Sequence, residues 1–282
     1  MMITETADSR LKRYNDIRVL QVLRTEMLTP RMKRVIVGGD EIEGFGRGPN
    51  IKLVIPPPGA AEPEWPLKGP NGGAIWPDHP RRPTVRTYSV SAFDARRSEL
   101  SIDFVLHGRD GPAANWASRA KPGDQLGVGG PGGRSLRESD WYLFVGDQSA
   151  LPAIANMLSG LPSSARGRAI IEIPNRDERQ IISHPLNLEI TWLYRDASSG
   201  ERSEALQDCA LTAWWPTNAN AFVWAGGESE IIRTVRAHFR HERGMTPRQL
   251  LAIGYWRRGM NEDDYKKAFN NDRDEDYFKG AF

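Results

Sequence analysis

The sequence has a single cysteine, Cys209, and its five histidines follow no common metal-ligand spacing such as HExxH. One thiol excludes an internal disulfide. It also excludes a thiolate metal site or an iron–sulfur cluster built from this chain alone. We therefore expect no resident metal and a protein that works in a reducing compartment.

Long apolar runs are also missing, and neither sign of charge is in large excess. No stretch of about 18 apolar residues occurs. The charged segment from Met1 to Tyr14 lacks the apolar core of a signal peptide. The 38 basic residues against 36 acidic ones leave a net charge of +2, too small a field to attract nucleic acid or a membrane surface. We expect a soluble, cytoplasmic protein whose basic sites are local.

The first half of the chain carries the signals of a β domain, and a length of 282 residues favours two domains. Short β-branched or alternating segments, separated by Gly, Pro and Asp, predict strands of a β-barrel or sandwich over residues 16–23, 31–37, 51–55, 85–90, 100–106 and 124–128. Residues 56–83 are crowded with Pro and Gly and predict an extended surface loop.

After Ser139 the pattern changes to apolar runs that alternate with helical segments, which predicts a parallel α/β sheet. Such sheets bind ligands beyond the carboxyl ends of their strands. A helix is predicted over 151–158, and the charged tail after Asn261 is predicted to begin as a helix. The predicted strands cover residues 142–145, 169–173, 188–194, 221–225 and 249–254. An amphipathic helix before the last strand buries one stripe, Ile231, Ile232, Val235 and Phe239.

The segment Arg86-Thr87-Tyr88-Ser89-Val90 puts a cation, an aromatic ring and a hydroxyl on one predicted strand. Because alternate side chains share a face, Arg86 and Tyr88 point one way and Thr87 and Ser89 the other. A charge for a pyrophosphate beside a ring that can lie against an isoalloxazine suits a flavin. The alternative is an ordinary strand, since many β proteins carry these residue types.

Two glycine-bearing segments follow this strand. Gly111 and Pro112 open a predicted helix, and Ala113 and Ala114 leave its N-terminal amides accessible to a phosphate, although an ordinary strand-to-helix turn would look the same. Residues 127–134 include five glycines and one proline, so we predict that they lie outside any element, as a linker or as backbone against a ligand. They lack the P-loop pattern, and their G-x-G-x-x-G spacing follows no strand-to-helix entry.

Three segments end predicted strands in the second half: 144–152 (FVGDQSALP), 224–228 (WAGGE) and 253–259 (IGYWRRG). The first two place small or acidic residues where a nicotinamide cofactor would lie, and helix capping alone would also explain them. The third combines two aromatic rings with Arg257 and Arg258, which suits an anion clamp beside stacking rings. A solvated rim is the alternative for this pair of arginines.

In this order along the chain, RTYSV, HGRDGPAANWA, GGPGG, GDQSALPAI, WAGGE and GYWRRG resemble the siderophore-interacting protein family. Its members are cytoplasmic ferric-siderophore reductases that contain FAD and are related to ferredoxin-NADP reductases. The resemblance implies an FAD-binding β-barrel over residues 1–138. It implies an NAD(P)H-binding α/β domain with a helical tail over residues 139–282.

The resemblance also implies roles for individual residues. Flavin and nucleotide contacts fall on Arg86, Thr87, Tyr88, Ser89, His107, Gly111, Pro112, Ala113, Ala114, Trp116, Asp147, Ser149, Ala150, Leu151, Ala225, Gly226, Gly227 and Glu228. The anionic ferric chelate is expected to bind basic side chains, namely Lys52, Arg134, Arg257 and Arg258. No side chain is expected to act as a nucleophile or a metal ligand, because the flavin carries the chemistry.

One position departs from the family pattern R-x-Y-T-x-R. Ser89 keeps the hydroxyl of the threonine, but Ser91 stands where a second arginine is expected. The change removes a cation next to the flavin. We therefore expect an altered flavin affinity or an altered preference for substrate charge.

The function implied by the resemblance is electron transfer from NADH or NADPH through FAD to a ferric siderophore, which releases ferrous iron. The alternatives are a general flavin or quinone reductase on the same fold and a non-catalytic siderophore-binding module. A ferredoxin as electron donor stays open. The nucleotide also stays open, because Arg166, Arg168 and Arg176 lie near a candidate ribose-binding strand that contains Glu172. We expect a monomer.

Overall fold

The computed structural model describes residues 17–60, 62–106, 111–195, 204–217, 219–269 and 272. Within these ranges the first half contains one α-helix, α1 (Pro112–Arg119), and nine strands. The strands are β1 (Ile17–Thr29), β2 (Met32–Gly38), β3 (Asn50–Ile55), β4 (Leu67–Lys68), β5 (Ala74–Ile75), β6 (Thr84–Ser89), β7 (Ala92–Asp94), β8 (Glu99–Val105) and β9 (Gln125–Gly132). All except the β4–β5 hairpin form one antiparallel sheet in the order β6-β3-β9-β1-β2-β8-β7.

The two edge strands of this sheet, β6 and β7, are separated in the chain only by Val90 and Ser91. The chain therefore passes directly from one edge to the other, and the sheet closes into a barrel. In this turn the backbone amide of Ser91 donates to the carbonyl of Ser101 on β8, 3.0 Å away. The barrel encloses a core that includes Leu53 and Phe104, both fully buried, and α1 packs against it.

The strand β9 runs through the glycine-rich segment, so the prediction that residues 127–134 lie outside any element was wrong. It pairs with β1 on one side and with β3 on the other. A Cβ at Gly127 would stand 2.8 Å from the indole ring of Trp65 and 2.9 Å from the Cβ of Val54. The glycine therefore reflects close packing inside a strand rather than a flexible connection.

The segment 56–83 is only in part the extended loop that its composition predicted. It contains the short β4–β5 hairpin, in which Leu67 pairs with Ile75. It also supplies Trp65, whose ring packs against Gly127 on the barrel. A Pro- and Gly-rich composition concealed both features, because neither shows an apolar period.

The second half is a five-stranded parallel sheet in the order β12-β11-β10-β13-β14. Its strands are β10 (Trp141–Asp147), β11 (Arg166–Ile173), β12 (Asn187–Tyr194), β13 (Ala221–Glu228) and β14 (Leu250–Trp256). Its helices, in chain order, are α2 (Leu151–Gly160), α3 (Ala205–Leu211), α4 (Ser229–His241) and α5 (Glu262–Phe269). The predicted fold class, an antiparallel β-barrel followed by a parallel α/β sheet, is confirmed.

The strand order of the parallel sheet reverses between β10 and β13. From β10 the chain adds β11 and β12 on one side and then returns to add β13 and β14 on the other. A crevice outside the carboxyl ends of the strands opens at such a switch point. Apolar layers cover both faces, with α2 on one and α3 and α4 on the other.

The helices of the second half follow the predicted pattern where the apolar period is clear. On α4, Ile232, Val235 and Phe239 are buried, and the carboxylate of Glu228 caps the first turn by accepting from the amide of Glu230 at 2.8 Å. The tail begins as the helix α5, as predicted. The seven-residue α3 was not predicted. None of the helices in the described ranges is long and apolar enough to span a membrane.

Candidate functional site

A cavity of about 720 Å³ lies between the barrel and the carboxyl ends of the parallel strands. It brings together segments that are far apart in the sequence, namely β6, the start of α1, the end of β10 and the end of β14. The predicted site residues that line it are Arg86, Thr87, Tyr88, Ser89, Gly111, Pro112, Ala113, Ala114, Asp147, Ser149, Arg257 and Arg258. The cavity is therefore the candidate site.

On the barrel side, β6 presents Tyr88 and Ser89 to the cavity. The ring of Tyr88 packs against the ring of Phe104, with 4.8 Å between the centroids. Burial raises the pKa of the Tyr88 phenol, the nearby carboxylate of Glu262 raises it further, and Arg86 opposes the shift. The hydroxyl of Ser89 lies 3.3 Å from that of Tyr255 on β14. The two sheets thus meet at the edge of the cavity.

The N-terminus of α1 faces the same cavity. Gly111 is its N-cap and Pro112 occupies its first turn. Among the described residues no side chain caps this helix end, and the amides of Ala113 and Ala114 are placed for an anion. His107, to which the resemblance gives a role beside this helix, lies outside the described residues.

The carboxylate of Asp147 ties together the carboxyl ends of β10, β13 and β14. Its Oδ1 accepts from the amide of Ser149 at 2.8 Å and from the hydroxyl of Ser149 at 2.5 Å. Its Oδ2 accepts from the amide of Glu228 at 2.9 Å and from the indole Nε1 of Trp256 at 2.7 Å. Because Asp147 is 3% exposed and both oxygens are engaged, it fixes Trp256 in the cavity wall.

Several predicted cofactor residues lie behind this wall rather than on it. Glu228 caps α4, and its Oε1 accepts from the amide of Arg258 at 3.2 Å. Trp116 packs on Phe104, with 5.8 Å between the ring centroids. The remaining members of this set are buried at strand ends or at the start of α2, and they are Ala150, Leu151, Ala225, Gly226 and Gly227.

Of the predicted chelate-binding cations, Arg257 and Arg258 line the cavity, and Lys52 lies behind Thr87, a residue of the cavity wall. Lys52 on β3 makes a short hydrogen bond from its Nζ to Oγ1 of Thr87. Arg257 pairs with Glu230 at 2.8 Å and lies over the ring of Phe269. Its Nη1 is buried and, in the part of the chain that the structure describes, has no hydrogen-bond partner. Arg257 and Arg258 both line the cavity, and guanidinium groups at a cavity wall are suited to an anionic ligand.

Arg134 lies apart from this cavity. It lines a second, larger cleft between the two halves, at the amino ends of the parallel strands. Its Nη2 donates to the carbonyl of Pro247 at 2.9 Å. The structure therefore does not bring Arg134 together with Arg257 and Arg258, which line the smaller cavity, while Lys52 lies behind Thr87 in its wall.

At Ser91 the structure shows what replaces the arginine expected from the family pattern. The Ser91 hydroxyl accepts from the backbone amide of Asp103 at 3.0 Å. The Asp103 carboxylate, which lines the cavity, receives two hydrogen bonds from Arg34 on β2, at 2.7 and 2.8 Å. Ser91 is 7% exposed, so its hydroxyl is taken up within the barrel, and Arg34 is paired with Asp103.

The sequence did not single out several residues that line the cavity or hold its wall. Glu262 and Asp263 on α5 contact β6. Gln148, 7% exposed, donates from Nε2 to Oε2 of Glu178 at 2.8 Å, and Thr29 at the end of β1 donates to the same oxygen at 2.6 Å. Gln148 falls in the segment FVGDQSALP, and the charged tail after Asn261 could be expected to cover the nucleotide side, but no pattern indicated the contact of Glu262 with β6.

The chain belongs to the siderophore-interacting protein family. The model of the siderophore-interacting FAD-binding domain matches residues 21–135. The model of the siderophore-interacting protein matches residues 139–259. Together the two matches cover both sheets, so the predicted family is confirmed.

Two relatives of established name are similar over nearly the whole chain. The ferric vibriobactin reductase ViuB of Vibrio cholerae is 33% identical over 266 residues, which are 92% of this chain and 96% of that protein. The NADPH-dependent ferric-chelate reductase of Escherichia coli is 31% identical over 252 residues, covering 86% of this chain and 94% of that protein.

Solved structures agree with this assignment. The siderophore-interacting protein SipS from Aeromonas hydrophila has a TM-score of 0.77 and 31% identity, covering 91% of this chain and 96% of that one. The ferredoxin-NADP+ reductase from Plasmodium falciparum has a TM-score of 0.60 at 11% identity, covering 84% and 95%. The second likeness shows the ferredoxin-reductase type of fold alone.

Proposed function

We propose that this protein is an FAD-dependent reductase that passes electrons from a nicotinamide nucleotide to ferric siderophores. The observation that carries the proposal is the shared cavity. It joins β6, the strand with the flavin-type residues, to the carboxyl ends of β10 and β14, where a nicotinamide would bind. Family membership and the names of the two reductases similar to this chain support the same reaction.

The residues around the cavity suit FAD. Arg86 offers a guanidinium to a pyrophosphate, and the N-terminus of α1 at Gly111 and Pro112 offers backbone amides. The ring of Tyr88 supplies a flat apolar surface, and the volume of about 720 Å³ is in the range of cofactor sites. In this proposal Arg86 and α1 bind the phosphates, while Tyr88 and Ser89 orient the isoalloxazine.

The chemistry that FAD supplies when bound is to accept two electrons as a hydride from the nucleotide and to release them singly, so that one nucleotide reduces two ferric ions. The chain provides position and shielding. Trp256, fixed by Asp147, and Tyr255, beside Ser89, form the wall that excludes water from the nicotinamide side. The electron transfer itself needs no general acid or base from the chain. Hard oxygen ligands bind ferrous iron more weakly than ferric iron, so reduction is followed by release of the metal.

For the ferric chelate we propose a basic site formed by Lys52, Arg257 and Arg258. Arg257 and Arg258 line the cavity, which supports their role in this site. Lys52 reaches the same region through Thr87. Two or three fixed cations of this kind attract an anionic chelate and speed its encounter with the flavin edge.

For the nucleotide the geometry favours NADPH over NADH. An acidic residue at the end of the second strand can accept from a free ribose hydroxyl. Here Glu172 is 2% exposed, and its Oε2 already accepts from Arg195 at 3.0 and 3.1 Å. Arg195 itself lines the cavity. A guanidinium at this place suits a 2′-phosphate, and a higher kcat/KM with NADPH than with NADH is the expected result.

Finer parts of the proposal concern setting and partners. The protein acts as a monomer in the cytoplasm, and reduced ferredoxin is an alternative donor of single electrons. Light scattering after gel filtration tests whether the protein is a monomer. Anaerobic reduction of the flavin by a reduced ferredoxin, compared with reduction by NADPH, tests whether ferredoxin is an electron donor.

The decisive test of the reaction is an anaerobic titration of the purified protein. We expect a yellow protein that NADPH bleaches and that a ferric siderophore, but not a quinone, returns to the oxidised spectrum. A protein without flavin would make it a siderophore-binding module. Reoxidation by quinones as fast as by ferric siderophore would instead make it a general flavin reductase.

A further inference from the structure

The helix α5 crosses from the parallel sheet to the barrel at the rim of the cavity. Its anchor is Tyr265, 1% exposed, whose hydroxyl donates to Oδ2 of Asp272 at 3.0 Å. Asp272 in turn pairs with Arg233 on α4 at 2.6 Å. A side chain at Gly254 on β14 would overlap the Tyr265 hydroxyl, so the helix lies directly against the sheet. The position of α5 is therefore fixed by α4 and β14.

The first turn of α5 places two carboxylates on β6. Oε1 of Glu262 accepts from the amide of Thr87 at 3.0 Å and from its hydroxyl at 2.8 Å. Oε2 of Glu262 lies 3.9 Å from Nε of Arg86. Asp263 lies 3.1 Å from Nη2 of the same arginine. The helix thus brings negative charge to the strand that carries the flavin-type residues.

The same Thr87 hydroxyl links Glu262 to Lys52. The Nζ of Lys52 and Oε1 of Glu262 are both hydrogen-bonded to this one oxygen. The carboxylate is thus one hydroxyl away from a cation of the chelate site. The side chain of Glu262 is 25% exposed and that of Arg86 is 14% exposed, so water screens this charge only in part.

We propose that Glu262 determines the charge of the ferric chelate that the site accepts. It is a fixed counter-charge beside Lys52 and Arg86, and it lowers the affinity for chelates of high negative charge more than for neutral ones. Such a repulsive element gives specificity that attractive contacts alone would not. The inference rests on the proposed function, because it concerns the substrate of that same site.

The substitution Glu262→Gln separates the charge from the hydrogen bonds. Glutamine keeps an oxygen that can accept from Thr87 and has nearly the same size, but it removes the negative charge. A purely structural role for Glu262 would leave charge selectivity unchanged in this variant. The charge-matched control is Glu189→Gln, at an exposed position on β12. Glu262→Asp keeps the charge and serves as the conservative variant.

The test measures binding of redox-inert gallium(III) complexes to the FAD-loaded protein by flavin fluorescence. Gallium(III) tris-catecholate carries three negative charges, and gallium(III) tris-hydroxamate carries none. In E262Q we expect the Kd of the trianion, relative to that of the neutral complex, to fall about fivefold. E189Q and E262D should keep the ratio of the wild type. High salt should reduce the shift in E262Q.

An unchanged ratio in E262Q, or the same change in E189Q, would overturn the inference and leave the proposed reaction intact. Because gallium is not reduced, the measurement needs no turnover. If E262Q shows the expected change in the Kd ratio but the wild type reduces no ferric chelate, the proposed reaction is refuted and the role of Glu262 is supported. A wild type that binds neither complex would refute both.

Discussion

Two clefts separate the barrel from the parallel sheet, and the larger one is not the candidate site. The larger cleft, about 1400 Å³, lies at the amino ends of the parallel strands, where Asp140 and Arg166 line it. The smaller cavity, about 720 Å³, lies at their carboxyl ends. Volume alone would select the larger cleft, whereas the switch point of the sheet favours the smaller cavity.

The difference between the two clefts is in how their polar groups are paired. In the larger cleft Arg134 donates to the carbonyl of Pro247, and the amide of Asn220 donates to Asp140 at 3.0 Å. In the smaller cavity no side chain among the described residues caps the N-terminus of α1, and Gly111 to Ala114 line the wall there. A helix end left for a ligand, at the switch point of the sheet, favours the smaller cavity as the candidate site.

The largest effect is expected at Asp147, which holds three strand ends at the smaller cavity. Replacing it by alanine leaves four hydrogen-bond donors unpaired, so Asp147→Ala should lower the free energy of unfolding by about 3 kcal/mol. Asp140→Ala, on the rim of the larger cleft, should cost less than about 1 kcal/mol because Asp140 is exposed. Urea denaturation measures both. Equal losses would remove the distinction between the clefts.

The next effect concerns the cofactor. Arg86→Ala removes the guanidinium proposed for the pyrophosphate, and loss of a charge-assisted hydrogen bond should weaken FAD binding about 30-fold. Flavin absorbance per protein, after dialysis against known FAD concentrations, measures the change. Full flavin retention in this variant would place the cofactor elsewhere.

The smallest effect tests the larger cleft directly. The sequence predicted that Arg134 binds the chelate, yet Arg134 lies at the amino ends of the parallel strands, away from the smaller cavity. Arg134→Ala should therefore change the affinity for FAD and for an anionic chelate by less than about twofold. A loss of chelate affinity comparable to that of Lys52→Ala would show that the larger cleft takes part.

Much of the fold followed from local patterns in the sequence. The alternation of apolar residues in the strands, the apolar stripe on α4 and the longer apolar runs after Ser139 each depend on which side chains are buried. The periodicity of apolar residues in the sequence predicts this burial. The glycines of β9 misled because composition does not distinguish flexibility from close packing against Trp65. The short β4–β5 hairpin carried no apolar period at all.

The sequence predicted which of the proposed cofactor residues come together better than it predicted the positions of the charges. Arg86, Tyr88 and Asp147 fall in motifs whose spacing carries chemistry, and the structure brings them to one cavity. Arg134 and Lys52 are of the same chemical type, and only the topology separates them. Glu262 meets Thr87 across 175 positions of sequence, a contact that no local pattern encodes.

Glu178 has a consequence for exchanging parts between relatives. Its buried carboxylate joins Thr29 of the barrel to Gln148 at the cavity, so the two halves share one polar network. A chimera that combines this barrel with the second half of another family member must bring a matching pair at these positions. Otherwise the buried carboxylate of Glu178 loses a hydrogen-bond partner, and the contact between the barrel and the parallel sheet is weakened beside the cavity.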